Sequence, residues 1–277
     1  MQLNDMHNGK YFETFFSNLA GKFSQHIYNS IPNYEQLELS QVKSLCKTYQ
    51  NFTAPYVLDI GASEGTFSIL LNKLAKDSFF TWSLDPNKDM EKVFNDLNKS
   101  NYNKFLLSPF GAGFDNFKNY YPENDFNIIR ESMAFQFISN NRSEHYKNVS
   151  KALKKGGIFI TNSKNLNNNK NLYNYAEKLK DEYKRQSFTQ KEMNKKSTEV
   201  LEGMQKCMIT IQDKTKFLSR NFSGYYLIWQ SGNFYSFIAF NDELGQKTAR
   251  DYVKNFYKVH DYKNKLNLGE YNYRLKY

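Results

Sequence analysis

Residues 57–71 read VLDIGASEGTFSILL and hold the first grouping able to do chemistry. An apolar run ends around Asp59, a turn bracketed by Gly61 and Gly65 follows, and an apolar pattern of helical period resumes after it. A tight turn between strand and helix lets backbone N–H groups approach a polar or anionic ligand closely. Asp85 lies about 20 residues past the turn, the spacing at which a carboxylate closing the next strand accepts hydrogen bonds from ribose hydroxyls. Turn and acid together predict a nucleoside-bearing cofactor. The dinucleotide fingerprint G-x-G-x-x-G does not fit Gly61-Ala62-Ser63-Glu64-Gly65, and the G-K-[ST] of a P-loop is absent. A βα turn with no ligand is the bland alternative.

A second candidate group follows the apolar run 126–130. Glu131 and Ser132 stand at the end of a strand, where an acceptor's amine or hydroxyl could be oriented; a helix cap or salt bridge would use Glu131 equally well. Cys46 and Cys207 are too few for a disulfide framework or a zinc site, and no Pro-Cys pair offers a nucleophile. His7, His26, His145 and His260 are scattered without metal-ligand spacing, and His26 reads as packing. Residues 108–110, Ser-Pro-Phe, lack the second proline of the [D/N/S]-P-P-[Y/F] motif and read as loop.

The elements that must position these residues follow from hydrophobic period and breakers. Helical spacing over 11–49 is interrupted by a turn at Pro32. Strands are expected at 56–60, 79–84, 104–107, 126–130 and 158–161, with helices at 66–76, 88–99 and 142–155 and a helix stop at Gly156-Gly157. Strands alternating with helices imply a mainly parallel sheet covered on both faces. Residues 165–171 are a polar spacer, and 172–212 a Lys- and Glu-rich helical insertion over one end of the sheet. Residues 225–240 are two strands around Ser231-Gly232-Asn233, a hairpin that finishes the sheet antiparallel. A helix at 247–257 precedes the tail.

The chain has 277 residues, 40% hydrophobic and 17% aromatic, enough for a packed core. No apolar run spans a membrane and no signal-peptide pattern opens the chain, so a soluble, cytoplasmic protein without a membrane partner is expected. The net charge is +10, which admits a nucleic-acid partner. The positive residues are spread along the chain, however, in a composition heavy in Lys, Asn, Tyr, Phe and Ile, as an AT-rich genome would impose.

The form Asp59-x-Gly61-x-x-x-Gly65 resembles the first motif of class I S-adenosylmethionine (SAM) methyltransferases, and SKALKKGGIFI (150–160) resembles that fold's helix, Gly-Gly turn and fifth strand. The resemblance implies an α/β, Rossmann-like doubly wound class I methyltransferase sheet with a C-terminal antiparallel hairpin and an N-terminal helical segment. On that basis 1–50 is a helical cap, 51–246 the SAM-binding domain with its insertion, and 247–277 a C-terminal helix and tail.

A closer resemblance is to the carboxy-S-adenosylmethionine synthase family, which takes part in modifying wobble uridine in tRNA. LAGKFSQHIYNSIPNY (19–34) resembles its N-terminal segment, AFQFI (134–138) the segment after its fourth strand, YKRQSFTQKEM (183–193) its helical insertion, and WQSGNFYSFIAF (229–240) its last hairpin. The family's loop also carries serine at its third position, as Ser63 does here. The resemblance implies that Tyr34 contacts the cofactor, that Gly61, Ala62 and Ser63 line its methionine and ribose part, and that Asp85, with Pro86 beside it, holds the ribose. The family's asparagine after the fourth strand falls on Ser132. Its acidic residue after the third strand has no clear counterpart near Ser108-Pro109.

The family binds its product's carboxylate with an arginine in the insertion, and that position falls on Ser197 or Thr198. Lys195 and Lys196 are the nearest cations. A lysine pairs with a carboxylate only as a point charge, and both could equally be a solvated helix face. Without the arginine, methyl transfer to an unidentified acceptor is expected, with SAM as cofactor. One alternative is carboxy-SAM synthesis from SAM and a prephenate-type donor, with carboxy-SAM as ligand; another is a non-catalytic SAM-binding subunit. The acceptor, a small molecule or nucleic acid, and a homodimeric partner are left open.

Overall fold

The computed structural model describes residues 10–107, 126–137 and 142–259. The loop expected at 108–117, and His7, His260 and the tail beyond Val259, lie outside them. Three helices open the described chain: α1 (Lys10–Ser17), α2 (Phe23–Tyr28) and α3 (Tyr34–Thr48). Then β1 (Tyr56–Ile60), α4 (Thr66–Ala75), β2 (Phe80–Asp85), α5 (Lys88–Leu97) and β3 (Asn103–Leu107) alternate. After β4 (Phe126–Ser132) come a 3-10 turn (Phe135–Phe137), α6 (Arg142–Ala152) and the long β5 (Leu153–Lys164). The insertion is built from α7 (Lys170–Lys184), α8 (Gln190–Lys196), a π-turn (Ser197–Leu201) and the short α9 (Glu202–Gln205). The chain closes with α10 (Ile211–Asn221), β6 (Gly224–Ser231), β7 (Phe234–Phe240) and α11 (Glu243–Val259).

The strands form one sheet in the order β3-β2-β1-β4-β5-β7-β6. The first five are parallel, and β7 and β6 run antiparallel to their neighbours. This is the expected α/β doubly wound sheet with its antiparallel hairpin. Side chains alternate between the two faces along each strand. One face buries Leu37, Val42 and Leu45 of α3, Phe67 and Leu71 of α4, and Tyr252 and Phe256 of α11. The other buries Tyr146 and Val149 of α6, Leu218 of α10 and Phe222. Each such side chain contributes about 1.5–3 kcal/mol by leaving water.

Most expected boundaries shift by at most one or two residues, and three differ more. The helix after β4 ends at Ala152, and Gly156-Gly157 lies inside β5, beside a register shift between Phe126 and Ile128. A Cβ on Gly157 would stand 2.8 Å from the Lys154 carbonyl and 2.9 Å from that of Phe126. The glycine therefore marks a close strand approach, a role that glycine in a strand commonly has. The insertion ends before α10, which packs against α6 as part of the sheet's helical layer. The last helix begins at Glu243, four residues before the expected 247. Among the described residues, no helix is long and apolar enough to cross a membrane.

Candidate functional site

β1 and β4 are neighbours in the sheet, and the chain leaves β1 toward β2 on one side and β4 toward β5 on the other. Their carboxyl ends therefore flank a topological switch point, where open α/β sheets bind ligands. A cleft opens there. Its walls are Phe23, Ser24 and Ile27 of α2, Tyr34 and Glu38 of α3, Gly61, Ala62 and Ser63 of the turn, Thr66 and Phe67 of α4, and Arg130 and Ser132 of β4. Its empty volume is about 370 Å³, counting the part open to solvent.

The turn takes its shape from three left-handed residues, Gly61 (φ 70°), Ser63 (φ 49°) and Gly65 (φ 66°). Ser63 holds a conformation that glycine adopts freely, so its side chain is retained at a backbone cost. Gly65 is required by packing: a Cβ there would stand 2.3 Å from Phe94 Cδ2. The turn's amides are spent inside the protein. Gly61 and Ala62 N–H both donate to the Leu84 carbonyl, at 2.8 and 3.0 Å, and Gly65 N–H donates to Ala62 O at 2.8 Å. Ser63 N–H donates to Asp85 Oδ2 at 2.9 Å. The sequence suggested these donors would face a ligand; instead they pin the turn to the end of β2.

Asp85 closes β2 and is 8% exposed. Besides Ser63, it accepts the Asn87 N–H on Oδ1 at 3.0 Å, and Asn87 in turn caps α5. Burial pushes its carboxyl up to about 6 against the pull of the two N–H groups. Each oxygen keeps a lone pair beyond the one already bonded, so the carboxylate can still accept a diol. Pro86, beside it, is exposed.

Asp59 is fully buried at the end of β1. Its Oδ1 accepts from Arg130 Nη1 at 2.8 Å, and its Oδ2 has no partner. Arg130 Nη2 reaches Glu38 Oε1 at 2.8 Å, and the guanidinium lies 4.1 Å from the centre of the Phe67 ring. Burial raises the Asp59 carboxyl to about 6 while Arg130 opposes the rise. Burial likewise disfavours the Arg130 cation, but its two carboxylates more than offset this and it stays charged. Tyr28 OH donates to the other Glu38 oxygen at 2.6 Å. Arg130 and Glu38 were missed from sequence. The available signal was a charge inside the apolar strand FNIIRES, which a fold can bury only with partners.

Tyr34, the first residue of α3, hydrogen-bonds Ser132 across the cleft. Burial keeps its phenol protonated, so it serves as a donor or a wall and not as a base. Ser132 also accepts from Asn162 Nδ2 at 2.9 Å, and Asn162 Oδ1 accepts from Gln41 Nε2 at 3.0 Å. The helical cap is tied to the Gly61–Gly65 turn. Phe23 N–H donates to Glu64 Oε1 at 3.1 Å, Ser24 and Thr66 hydroxyls meet at 2.8 Å, and Asn87 Nδ2 donates to Ser17 Oγ at 3.1 Å.

Glu131 does not line the cleft. By strand alternation it points to the opposite sheet face from Ser132 and Arg130. Its Oε1 accepts the Ala134 and Phe135 N–H groups at 2.8 and 3.0 Å, and its Oε2 accepts from Thr161 Oγ1 at 2.6 Å. It holds the turn after β4, where Met133 takes a positive φ of 59°, and this geometry gives it no contact with an acceptor in the cleft. Lys195 and Ser197 are exposed, and neither they nor Lys196 line the cleft. Lys195 lies 3.9 Å from Glu199. Lys196 is half-buried, with its ammonium 2.6 Å from His26 Nε2 and 3.0 Å from Ser30 Oγ. His26 packs between Phe15 and Phe188. Among the described residues, no cluster of His, Cys, Asp and Glu could hold a metal ion.

No protein-family model and no curated protein sequence matches the chain. Solved structures do match in fold. The plantazolicin methyltransferase BpumL, in complex with a triazolic desmethylPZN analog and SAH, aligns at a TM-score of 0.56 and 10% identity, over 87% of this chain and 98% of that one. The same enzyme with a monoazolic analog and SAH aligns at 0.54 and 11%. A chain from the complex of the Haloferax volcanii Trm112 methyltransferase activator with a methyltransferase aligns at 0.50 and 9%, over 82% of this chain and 98% of that one. The chain has the Rossmann-like fold that these methyltransferase structures share.

Proposed function

We propose that this chain is a SAM-dependent methyltransferase. The observation that carries the proposal is the state of the Gly61–Gly65 turn. Its amides at 61, 62, 63 and 65 are bonded internally, while Asp85 beside it keeps acceptor capacity. A dinucleotide's pyrophosphate needs free N–H donors at this turn. A nucleoside joined to an amino acid needs a ribose acceptor and a close, uncharged backbone; Gly61, Ala62 and Ser63 line the cleft, and Asp85, bonded to Ser63 N–H but not itself among the lining residues, is the acceptor beside it. Glu38 lines the cleft beside Arg130, and Asp59, buried behind them, leaves two carboxylates against one guanidinium, a balance that suits a cationic ligand. The fold neighbours solved with SAH support the same cofactor.

Bound there, SAM would supply an electrophilic methyl group on a sulfonium. The chain's own residues would hold and shield it. Asp85 would accept the ribose hydroxyls; Ala62 and Ser63 would line the ligand; Tyr34 and Ser132 would close the cleft from the cap side. Methyl transfer needs alignment and a water-poor site more than acid–base help. The protonated Tyr34 and the absence of Glu131 from the cleft agree with that demand.

Within this class we propose the branch resembling carboxy-SAM synthases; the resemblance implies that Tyr34 contacts the cofactor, and Tyr34 lines the cleft, where it hydrogen-bonds Ser132. Carboxy-SAM synthesis is the second reading, favoured by one observation: among the described residues, the Lys196 ammonium sits near the cap with no carboxylate in contact. Mass analysis of the co-purifying ligand, followed by competition between SAM and carboxy-SAM, tests both. SAM or SAH in the protein and tighter binding of SAM are expected. Carboxy-SAM in the protein, or its tighter binding, would make the chain a synthase; a nicotinamide dinucleotide would overturn the class.

A further inference from the structure

Four lysines gather above the carboxyl end of β5 with too few carboxylates to neutralise them. Lys164 closes β5, Lys180 and Lys184 lie on α7, and Lys196 ends α8. The side chains of Lys164, Lys180 and Lys184 are only 5%, 6% and 7% exposed. Two acids of α7 face them. Glu177 Oε2 accepts from Lys164 at 2.7 Å and also from Lys180, and its Oε1 is taken by Asn233 Nδ2 at 2.9 Å. Asp181 stands 3.5 Å from Lys180 and 3.6 Å from Lys184. Both separations exceed the roughly 2.7–2.9 Å of a charge-assisted hydrogen bond.

Among the described residues, the Lys196 ammonium bonds His26 and Ser30 and no carboxylate. Burial, then the neighbouring lysines, hold His26 down to about 3, so the ring is neutral. Glu192 is turned to Thr189 in the capping box of α8, and Glu199 faces Lys195. With all four lysines protonated, the two carboxylates leave two positive charges without a counter-charge. Burial first, and then mutual repulsion, hold Lys184 down to about 8 and Lys196 down to about 7.

Lysine side chains on a peripheral helix can reach water along their flexible stems, and inward-facing, unneutralised ammonium groups cost folding energy. These four are nonetheless turned inward. They lie at the carboxyl edge of the sheet, where ligands of this architecture bind. The cluster also adjoins the cofactor cleft through Tyr28. That residue's carbonyl accepts from Tyr183 OH of α7 at 2.9 Å, and its hydroxyl donates to Glu38 in the cleft wall.

We infer that Lys164, Lys180, Lys184 and Lys196 bind an oxyanion, carboxylate or phosphate, carried by the methyl acceptor. The acceptor is therefore a small anionic molecule, since side chains this buried do not track a nucleic-acid backbone. The word acceptor rests on the transferase proposal; the oxyanion site does not.

The test is calorimetry on the full chain saturated with SAH, titrated with inorganic phosphate and with malonate at constant ionic strength set by sodium chloride. Saturable binding of at least one is expected. A preference for phosphate would mark a phosphorylated acceptor, and a preference for malonate a carboxylic one. Lys184→Met and Lys196→Met should each weaken binding tenfold or more, while Lys195→Met, outside the cluster, leaves it unchanged. SAH affinity should stay within twofold throughout, so a failure of the cofactor proposal is read separately. A second readout covers poor folding. If the cluster is a receptor, ligand-free Lys184→Met melts at or above the wild-type temperature in low salt, because repulsion is relieved. No saturable binding of either anion, tenfold-insensitive variants, or a Lys184→Met melting temperature several degrees below wild type would overturn the inference.

Discussion

Replacing Arg130 with methionine isolates the charged floor of the cleft. The guanidinium is 3% exposed and bridges Asp59, fully buried, with Glu38. Methionine fills similar volume and lies comfortably on Phe67, so the packing loss is small. What remains is a pair of carboxylates without their cation. Breaking a buried ion pair by removing one partner costs about 3–5 kcal/mol. For a protein of this size each kcal/mol corresponds to about 2–4 °C, so melting should fall by roughly 6–20 °C.

The loss should depend on pH. In the wild type the Asp59 carboxyl is already raised to about 6 by burial, and removing Arg130 raises it further. The folded variant then binds a proton that the unfolded chain, titrating near 3.9, has released. Stability of the variant therefore rises as pH falls from 8 toward 5, and its deficit against wild type shrinks. Adding Asp59→Asn should recover part of the loss at pH 8. Urea unfolding at pH 8 and 5.5 measures all three. A deficit under about 1 kcal/mol at pH 8, or one that grows on acidification, would refute the assignment of Arg130 as the counter-charge of this floor.

Three smaller perturbations probe the turn and the cap. Gly65→Ala forces a Cβ against Phe94 at a left-handed position and should cost about 1–3 kcal/mol in urea unfolding. Ser63→Gly relieves a φ of 49° and should be neutral to about 1 kcal/mol stabilising, a loss of stability meaning that the serine hydroxyl is structural. Tyr34→Phe removes the bond to Ser132 and should cost about 0.5–1.5 kcal/mol, read as weaker SAH binding in calorimetry with the fold intact by circular dichroism.

Local signals were legible where one residue type has one physical use. YVLDI before a glycine could be little but a buried strand, and Gly232-Asn233 between two aromatic runs could be little but a hairpin turn. Gly156-Gly157 misled because glycine has two uses: it stops helices, and it also admits a close strand approach, which is its role in β5. The Arg130 floor was invisible for another reason. Its partners are 71 and 92 residues away, and no local period reports such pairs. The Lys-rich insertion reads as a solvated helix in isolation. Its Lys180, Lys184 and Lys196 come together with Lys164 only because the fold brings α7 and α8 over the end of β5 and against Ser30 and His26. The turn was located correctly from sequence, yet the direction of its amides was not, since that depends on where Leu84 and Asp85 end.

The cofactor proposal is tested most directly by calorimetry of SAH on wild type and on Asp85→Ala, at pH 7.5 and 5.5. Wild type should bind at pH 7.5. The variant should lose about 10–150-fold, the equivalent of roughly 1.5–3 kcal/mol for bonds to a charged acceptor. Because the ionised carboxylate accepts the ribose and burial places its titration at about 6, wild-type affinity should weaken on going to pH 5.5, and the variant's should weaken less. No binding of SAH by the wild type, or unchanged affinity in a folded Asp85→Ala variant, would contradict the proposal.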